Sequence, residues 1–109
     1  MQTIGESAFY KCRNLQKVTF AVGSQLREIG EYAFLCCDNL KRISLPENIE
    51  VVPKGCFCAS ELEEIVIPRK VKKIGCAFYN CKNLRRVVFE QGSELAEIGS
   101  FAFQGCKSL

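Results

Sequence analysis

The segment IGESAFYKCRNLQKVTF, residues 4–20, has a pattern that returns several times along the chain. Its apolar residues follow neither the 3.6-residue period of an amphipathic helix nor the alternation of a strand. IGEYAFLCCDNLKRISL, residues 29–45, repeats it, and related segments begin at Val52, Ile74 and Ile98. A period of about 20–29 residues is typical of solenoids, in which each repeat forms one coil.

Four short segments have the composition of strands: LQKVTF, LKRISL, LEEIVI and LRRVVF. They alternate and are rich in β-branched residues, and each is too short for an ordinary helix. A period of 20–29 residues that contains L-x-x-L-x-L is typical of leucine-rich repeats, in which each coil is a strand plus a return segment. The sequence therefore predicts a right-handed leucine-rich-repeat solenoid of about five coils, the last one incomplete. Each coil is expected to contain one short parallel β-strand and a short helical or irregular return, with strands starting near Leu15, Leu40, Leu62 and Leu84.

The whole chain, residues 1–109, is predicted to be one array without a linker. The repeats lie near 4–28, 29–51, 52–73, 74–97 and 98–109. One coil buries too little apolar surface to offset the loss of backbone entropy, so stability must come from coil–coil interfaces. The chain begins and ends inside repeats, and we expect it to be a segment of a longer array.

The unit I-G-x-x-A-F-x-x-C-x-x-L-x-x-V-x-F resembles the BspA-like (treponemal-type) class of leucine-rich repeats, over nearly the whole chain. IGESAF, IGEYAF and IGSFAF carry the resemblance, together with Cys12, Cys37, Cys81 and Cys106. The third repeat departs most, with Pro53 for the glycine, Cys56 for the alanine and Ala59 for the cysteine. The resemblance implies a surface or secreted protein of the adhesin type, although the first twenty residues lack the apolar run of a signal peptide.

Two residue types recur once per repeat and are predicted to be structural. The phenylalanines should stack as one buried column; they are Phe9, Phe34, Phe57, Phe78 and Phe103. The glycines Gly5, Gly30, Gly75 and Gly99 lie in no phosphate-binding motif. Pro53 occupies the same position, and proline fixes φ near −65°. The glycines are therefore expected to provide room, and a positive φ is not expected of them.

The eight cysteines admit three interpretations, which are free thiols, disulfides and metal ligands. Free, buried thiols are favoured for Cys12, Cys37, Cys81 and Cys106, because their Cβ vectors should run parallel and the ladder skips one coil. Cys56 is expected to be buried in its alanine position. The sequence does not place Cys36, Cys58 and Cys76. A zinc site would need four thiolates, since the chain has no histidine, and no metal or other cofactor is predicted.

Composition argues against several classes of function. Without histidine the chain lacks the usual general base and the usual partner of a nucleophilic cysteine, so no catalytic residue and no enzyme activity are predicted. A sequence pI of about 8.4 is only mildly basic, and no alternation of aromatic and basic residues suggests nucleic-acid binding. The sequence contains no run of 18 apolar residues, so membrane insertion is not predicted.

The outward side of the predicted strands, expected to be the concave side of the solenoid, is the remaining candidate site. We call it the sheet face. Its predicted partner-binding residues are Lys17, Lys41, Arg42, Glu63, Glu64, Val66, Arg85, Arg86 and Val88. Val66 and Val88 would form an apolar centre with a charged rim. The structural alternative is that the glutamates of the third strand only neutralise the basic residues of its neighbours.

Two functions remain open from the sequence. The first is an adhesin-like module that binds a protein partner, not identified by the sequence, through the sheet face. The second is a structural segment that assembles into homo-oligomers through its terminal coils, because neither MQTIGESAF nor FQGCKSL resembles the polar cap that a solenoid needs.

Overall fold

The computed structural model describes residues 3–109, which form a parallel β-solenoid, so the predicted fold class is confirmed. Within this range there is no helix, and all nine strands are short. They are β1 (Thr3–Ile4), β2 (Lys17–Val18), β3 (Glu28–Ile29), β4 (Arg42–Ile43), β5 (Val51–Val52), β6 (Glu64–Ile67), β7 (Lys73–Ile74), β8 (Arg86–Phe89) and β9 (Glu97–Ile98).

The prediction of one strand per coil is wrong in detail, because a coil contains two strands. The predicted strands are β2, β4, β6 and β8, and each begins two residues after its leucine. The additional strands β1, β3, β5, β7 and β9 end at the isoleucine or valine that opens each repeat. Strands of one ladder pair in parallel with the next coil, as in Thr3 opposite Glu28 and Lys17 opposite Arg42.

Both ladders are interrupted between the second and third coils. β1 pairs with β3, and β5 with β7 and β9; β2 pairs with β4, and β6 with β8. Pro53 explains why β3 and β5 do not pair. Gly30, Gly75 and Gly99 each donate their backbone N–H to the preceding coil at 2.7–2.8 Å, and proline has no N–H to donate. In the second ladder, Glu63 N–H still donates to the Lys41 carbonyl at 3.2 Å, but β4 and β6 do not pair as strands.

The return segments form a third ladder, which joins all five coils. The N–H of Phe9 donates to the Ala33 carbonyl at 2.8 Å, and Phe34, Phe57 and Phe78 donate to the following coil in the same way at 2.9–3.0 Å. The residues between these donors bond within their own coil, as Ala8 N–H does to Gly5 and Tyr10 N–H to Ser7. The return is thus a series of tight turns rather than a helix or a strand, which explains why residues 4–20 show neither period.

The return segments need a left-handed backbone conformation, with positive φ, at fixed positions. The residue two places after each phenylalanine has a φ between 56° and 81°; these residues are Lys11, Cys36, Ala59, Asn80 and Gly105. Comparison of the repeats in the sequence placed Ala59 in the cysteine position, and the structure shows that this placement is wrong. Ser60 occupies that position, and its side chain is buried.

The repeat glycines lack a positive φ, as predicted, but not all of them provide room, since an added Cβ at Gly5 would meet no atom within 4 Å. None of Gly5, Gly30, Gly75 and Gly99 has a positive φ. Space is decisive at Gly30, where an added Cβ would lie 2.6 Å from the carbonyl carbon of Gly5 in the coil before. The return segments can approach this closely only because a side chain is missing.

The five phenylalanines form the predicted continuous column. Successive ring centroids are 5.2–5.6 Å apart, and the ring planes are within 14° of parallel. Phe34, Phe57 and Phe78 are fully buried, whereas Phe9 in the first coil is 37% exposed. The column and the return ladder run side by side, because the first four rings belong to residues whose N–H lies in that ladder.

The repeat cysteines bond to the carbonyls of this column. The Sγ atoms of Cys37, Cys81 and Cys106 donate to Phe9, Phe57 and Phe78 of the preceding coils at 2.9–3.1 Å. In the third coil the Ser60 hydroxyl lies 3.4 Å from the Cys81 Sγ. All eight cysteines are free thiols; Cys37, Cys56 and Cys81 are buried as predicted. Cys12 and Cys106 are only half-buried, because they lie in the outermost coils.

Burial controls the acidity of these thiols. Loss of hydration raises the pKa of both Cys37 and Cys81 from 9.0 to about 11 and raises that of Cys56 further. At neutral pH the cysteines of the core are therefore protonated, and the protonated Sγ can donate the hydrogen bonds described above.

We expect Phe57→Ala to lower the free energy of unfolding by about 3–5 kcal/mol, because it leaves a cavity between two stacked rings. Phe9→Ala is the matched control. It should cost clearly less, since Phe9 is partly exposed and stacks on one ring only. Urea unfolding measures both, and equal losses would contradict a column stabilised by interior stacking.

We expect Cys81→Ser to make stability less dependent on alkaline pH. The folded-state pKa of Cys81 lies above the ordinary value, so its contribution to stability is complete below pH 9 and is lost as the pH rises toward 11. A serine hydroxyl does not titrate there, and Ser60 already fills this position in the third coil. Urea unfolding just below pH 9 and just below pH 11 should show a smaller decrease in the variant. Equal decreases would contradict the assignment.

Candidate functional site

Alternation along the strands determines which side chains reach the sheet face. In β6, Ile65 and Ile67 point into the core, whereas Val66 between them is 48% exposed. Successive side chains of a strand point to opposite faces, so Glu64 lies on the same side as Val66. The register then places Val66 beside Val88 and Glu64 beside Arg86 of β8.

The predicted site residues differ in exposure. Lys17, Lys41, Arg42, Arg85, Arg86 and Val66 are exposed, and Glu63, Glu64 and Val88 are half-buried. An open hollow of about 300 Å³ at the interruption between β4 and β6 brings together Lys17, Arg42, Glu64, Val66 and Val88. Lys41 lies in an adjoining hollow of about 380 Å³, which also includes Lys17 and Arg42. Glu63, Arg85 and Arg86 line neither hollow.

Only one ion pair forms among these charges in the part of the chain that the structure describes. Arg85 Nη2 lies 3.9 Å from Glu63 Oε1 on the neighbouring strand. Lys17, Lys41, Arg42, Glu64 and Arg86 have no oppositely charged side chain within 4.0 Å across residues 3–109. A largely exposed pair at this distance contributes about 0–1 kcal/mol. Cross-strand neutralisation therefore holds for Glu63 and Arg85 alone.

Sequence reasoning missed the hollow between β4 and β6. Ser44 and the buried residues Ile43 and Ile65 line it together with the predicted residues. Leu40 and Leu62 are 22 residues apart, but so are Leu62 and Leu84, and there the strands pair over four residues. The repeat spacing thus contains no signal for this feature.

A second surface lies on the return side and includes Cys58 and Cys76, two of the three cysteines that the sequence could not place. A shallow apolar hollow of about 250 Å³ is lined by Tyr32, Lys54, Gly55, Cys58, Cys76, Tyr79 and Phe101. Cys58 Sγ donates to the Cys76 carbonyl at 3.4 Å, and burial raises the pKa of Cys58. The Lys54 ammonium lies 5.9 Å from the centre of the Tyr32 ring, a cation–π contact.

Two structural features bear on the other classes of function. Across residues 3–109, no three histidine, cysteine or acidic side chains come together in a group that could hold a metal ion. In the same range, no helix is long and apolar enough to cross a membrane.

The repeat, the parallel ladders and the phenylalanine column define a leucine-rich-repeat protein. The chain belongs to the BspA-type leucine-rich repeat family, whose model matches residues 1–109 as six copies. The resemblance seen in the sequence is thus confirmed.

A solved structure supports this assignment. The chain is similar to the crystal structure of a leucine-rich cell surface protein from Faecalibacterium prausnitzii, with 28% sequence identity and a TM-score of 0.85. The alignment covers 98% of this chain and 28% of that protein, so the chain spans little more than a quarter of its length. A comparison with curated proteins gave no match.

Proposed function

We propose that this chain is a non-enzymatic protein-binding module of a cell-surface protein and that the sheet face is its recognition surface. The observation that carries the proposal is the difference between inward and outward positions along each strand. Inward positions are occupied by similar apolar residues, such as Ile43, Ile65 and Val87, whereas the neighbouring outward positions change in charge from coil to coil. Packing restricts the first set only, which leaves the second set available to match a partner.

The physical character of the sheet face supports protein binding. Val66 and Val88 lie side by side, with charged side chains around them, and apolar centres with polar rims are typical of protein interfaces. The single ion pair on the face is weak, so a partner can replace it at little cost. The family and the F. prausnitzii protein support a cell-surface location.

The chemistry of the cysteines supports a non-enzymatic role. Thiolates are the reactive form, and burial raises the pKa values of Cys37 and Cys81 to about 11. Cys37 and Cys81 moreover use their S–H groups to bond backbone carbonyls of the preceding coil. These thiols stabilise the solenoid and are poor nucleophiles.

We expect the double reversal Arg42→Glu/Arg86→Glu to leave stability nearly unchanged but to weaken partner binding and its salt dependence together. Immobilised wild-type and variant proteins would be compared on one mixture of cell-surface and matrix proteins, by quantitative mass spectrometry. Arg27→Glu/Lys107→Glu, with the same change in charge at exposed sites outside the sheet face, is the control. If the double reversal retains the same proteins as the wild type, the sheet face is not the recognition surface.

Self-association is the second candidate, and one observation favours it. The outer side of the first coil has an open, largely apolar hollow of about 740 Å³, lined by residues that include Ile4, Phe9, Val18, Phe20 and Leu26. It lies beside β1 and β2, each of which pairs with a strand on one side only, and such strand edges favour pairing with another chain. End-to-end contact between copies would cover this surface.

On this second candidate, sedimentation should show a dimer whose population rises with concentration. Phe20→Glu should shift the equilibrium toward monomer, because it places a charge in the apolar hollow. Tyr79→Glu, a similar change on the return side of the fourth coil, should have no effect. A wild-type monomer at high concentration would exclude association through this end.

A further inference from the structure

We infer that the sheet face binds an extended peptide segment, with acidic residues over the first two coils and aliphatic residues over the next two. This inference rests on the proposed function and specifies the chemistry of the partner. Two observations carry it: the unequal distribution of charge along the face, and the position of the exposed valines.

The positive charge of the sheet face is concentrated at one end. In the first two coils, the face carries Lys17, Lys41 and Arg42 and no predicted acidic member. In the third and fourth coils, Glu63 and Glu64 balance Arg85 and Arg86, and Glu63 forms its ion pair with Arg85. The excess of three positive charges therefore belongs entirely to the first two coils.

Two of these cations repel each other in the structure. Lys17 and Arg42 are register partners on β2 and β4, and like charges directly opposite one another destabilise a sheet. No carboxylate of residues 3–109 lies within 4.0 Å of either side chain. A carboxylate supplied by a ligand would relieve this repulsion, and both cations line the same hollow.

Glu64 determines which part of the ligand lies over which coils. Its carboxylate lies in the same hollow as Lys17 and Arg42 but on β6, at the side of the third coil. An acidic group of the ligand is attracted toward the first two coils and repelled by Glu64. Val66, two residues further along β6, and its register partner Val88 on β8 offer apolar surface to an aliphatic side chain.

The geometry also gives a spacing. Neighbouring parallel strands are about 4.8 Å apart, so the centres of the two halves of the face are separated by about 10 Å. An extended peptide covers this distance in about three residues, at about 3.3 Å each. The preferred segment therefore has an acidic residue followed, or preceded, about three positions away by valine, isoleucine or leucine.

A peptide fits the face better than a polyanion such as nucleic acid or a sulfated glycan. A polyanion would use the three cations but would bring further negative charge over Glu64 and leave Val66 and Val88 without a contact. A segment that changes from acidic to aliphatic satisfies both halves. This difference makes the valines the residues that distinguish the two ligands.

The test is a selection of short random peptides on the full chain, followed by affinity measurements with synthetic copies of the selected peptides. We expect enrichment of acidic and aliphatic residues at the stated spacing. Lys17→Gln/Lys41→Gln/Arg42→Gln should weaken binding about tenfold, from the loss of three exposed charge pairs of about 0.5 kcal/mol each. Lys17→Glu/Lys41→Glu/Arg42→Glu should weaken it more, because the new carboxylates repel the acidic residues of the peptide. Arg27→Glu/Lys82→Glu/Lys107→Glu, which changes the net charge equally outside the face, should not weaken it.

The valines separate a peptide from a polyanion. Val66→Thr/Val88→Thr keeps the shape of both side chains and should weaken the selected peptides severalfold, while heparin, used as the polyanion probe, should be unaffected. Selected peptides that are acidic throughout and insensitive to the threonine pair would overturn the inference in favour of a polyanion site. Peptides that bind the sheet face without acidic enrichment would overturn it but leave the proposed function intact. Peptides insensitive to every sheet-face substitution would overturn both.

Discussion

The hydrogen-bond ladder of the return segments holds successive coils together along the whole solenoid. Every coil interface contains it, including the one between the second and third coils where both strand ladders are interrupted. Its geometry requires alternating bonds within and between coils, left-handed residues at fixed positions and a close approach at Gly30. The phenylalanine column and the thiol–carbonyl bonds are attached to the same backbone, so they share its regular spacing.

Much of this fold could be predicted from the sequence, because a repeated structure repeats its core residues. The phenylalanines, the four principal strands and the buried thiols were all found in this way. The additional strands were missed, because two paired residues leave no periodic pattern. Three of the five left-handed positions were equally hidden, since Lys11, Cys36 and Ala59 adopt a conformation that is more typical of the Asn80 and Gly105 found there in the last two coils. Pro53 indicates the interruption of one ladder, because proline has no N–H to donate to the preceding coil.

The candidate site was predictable in part. The repeat indicates which apolar positions point inward, so the sheet face could be written down from the positions that remain. Which charges pair could not, because ion pairing depends on side-chain reach across a ladder whose continuity differs between coils. Glu63 reaches Arg85 on a strand that pairs with its own, whereas Lys41, across the interruption, has no such contact. The division of the face into a cationic half and a half that is neutral overall and carries the valines appears only once these pairs are known.

The interruption of both strand ladders at one junction has a mechanical consequence. When the solenoid is pulled along its axis, the junctions between the first and second and between the third and fourth coils share the load among three sets of parallel hydrogen bonds. At the junction between the second and third coils, where neither β3 and β5 nor β4 and β6 pair, the load falls mainly on the return ladder, beside the bonds from Glu63 N–H to Lys41 and from Lys72 N–H to Glu50. Extension would therefore begin there, and the hollow of the sheet face would widen before either neighbouring block of coils unravels. A ligand that spans the hollow would act as a brace across the weakest joint of the rod.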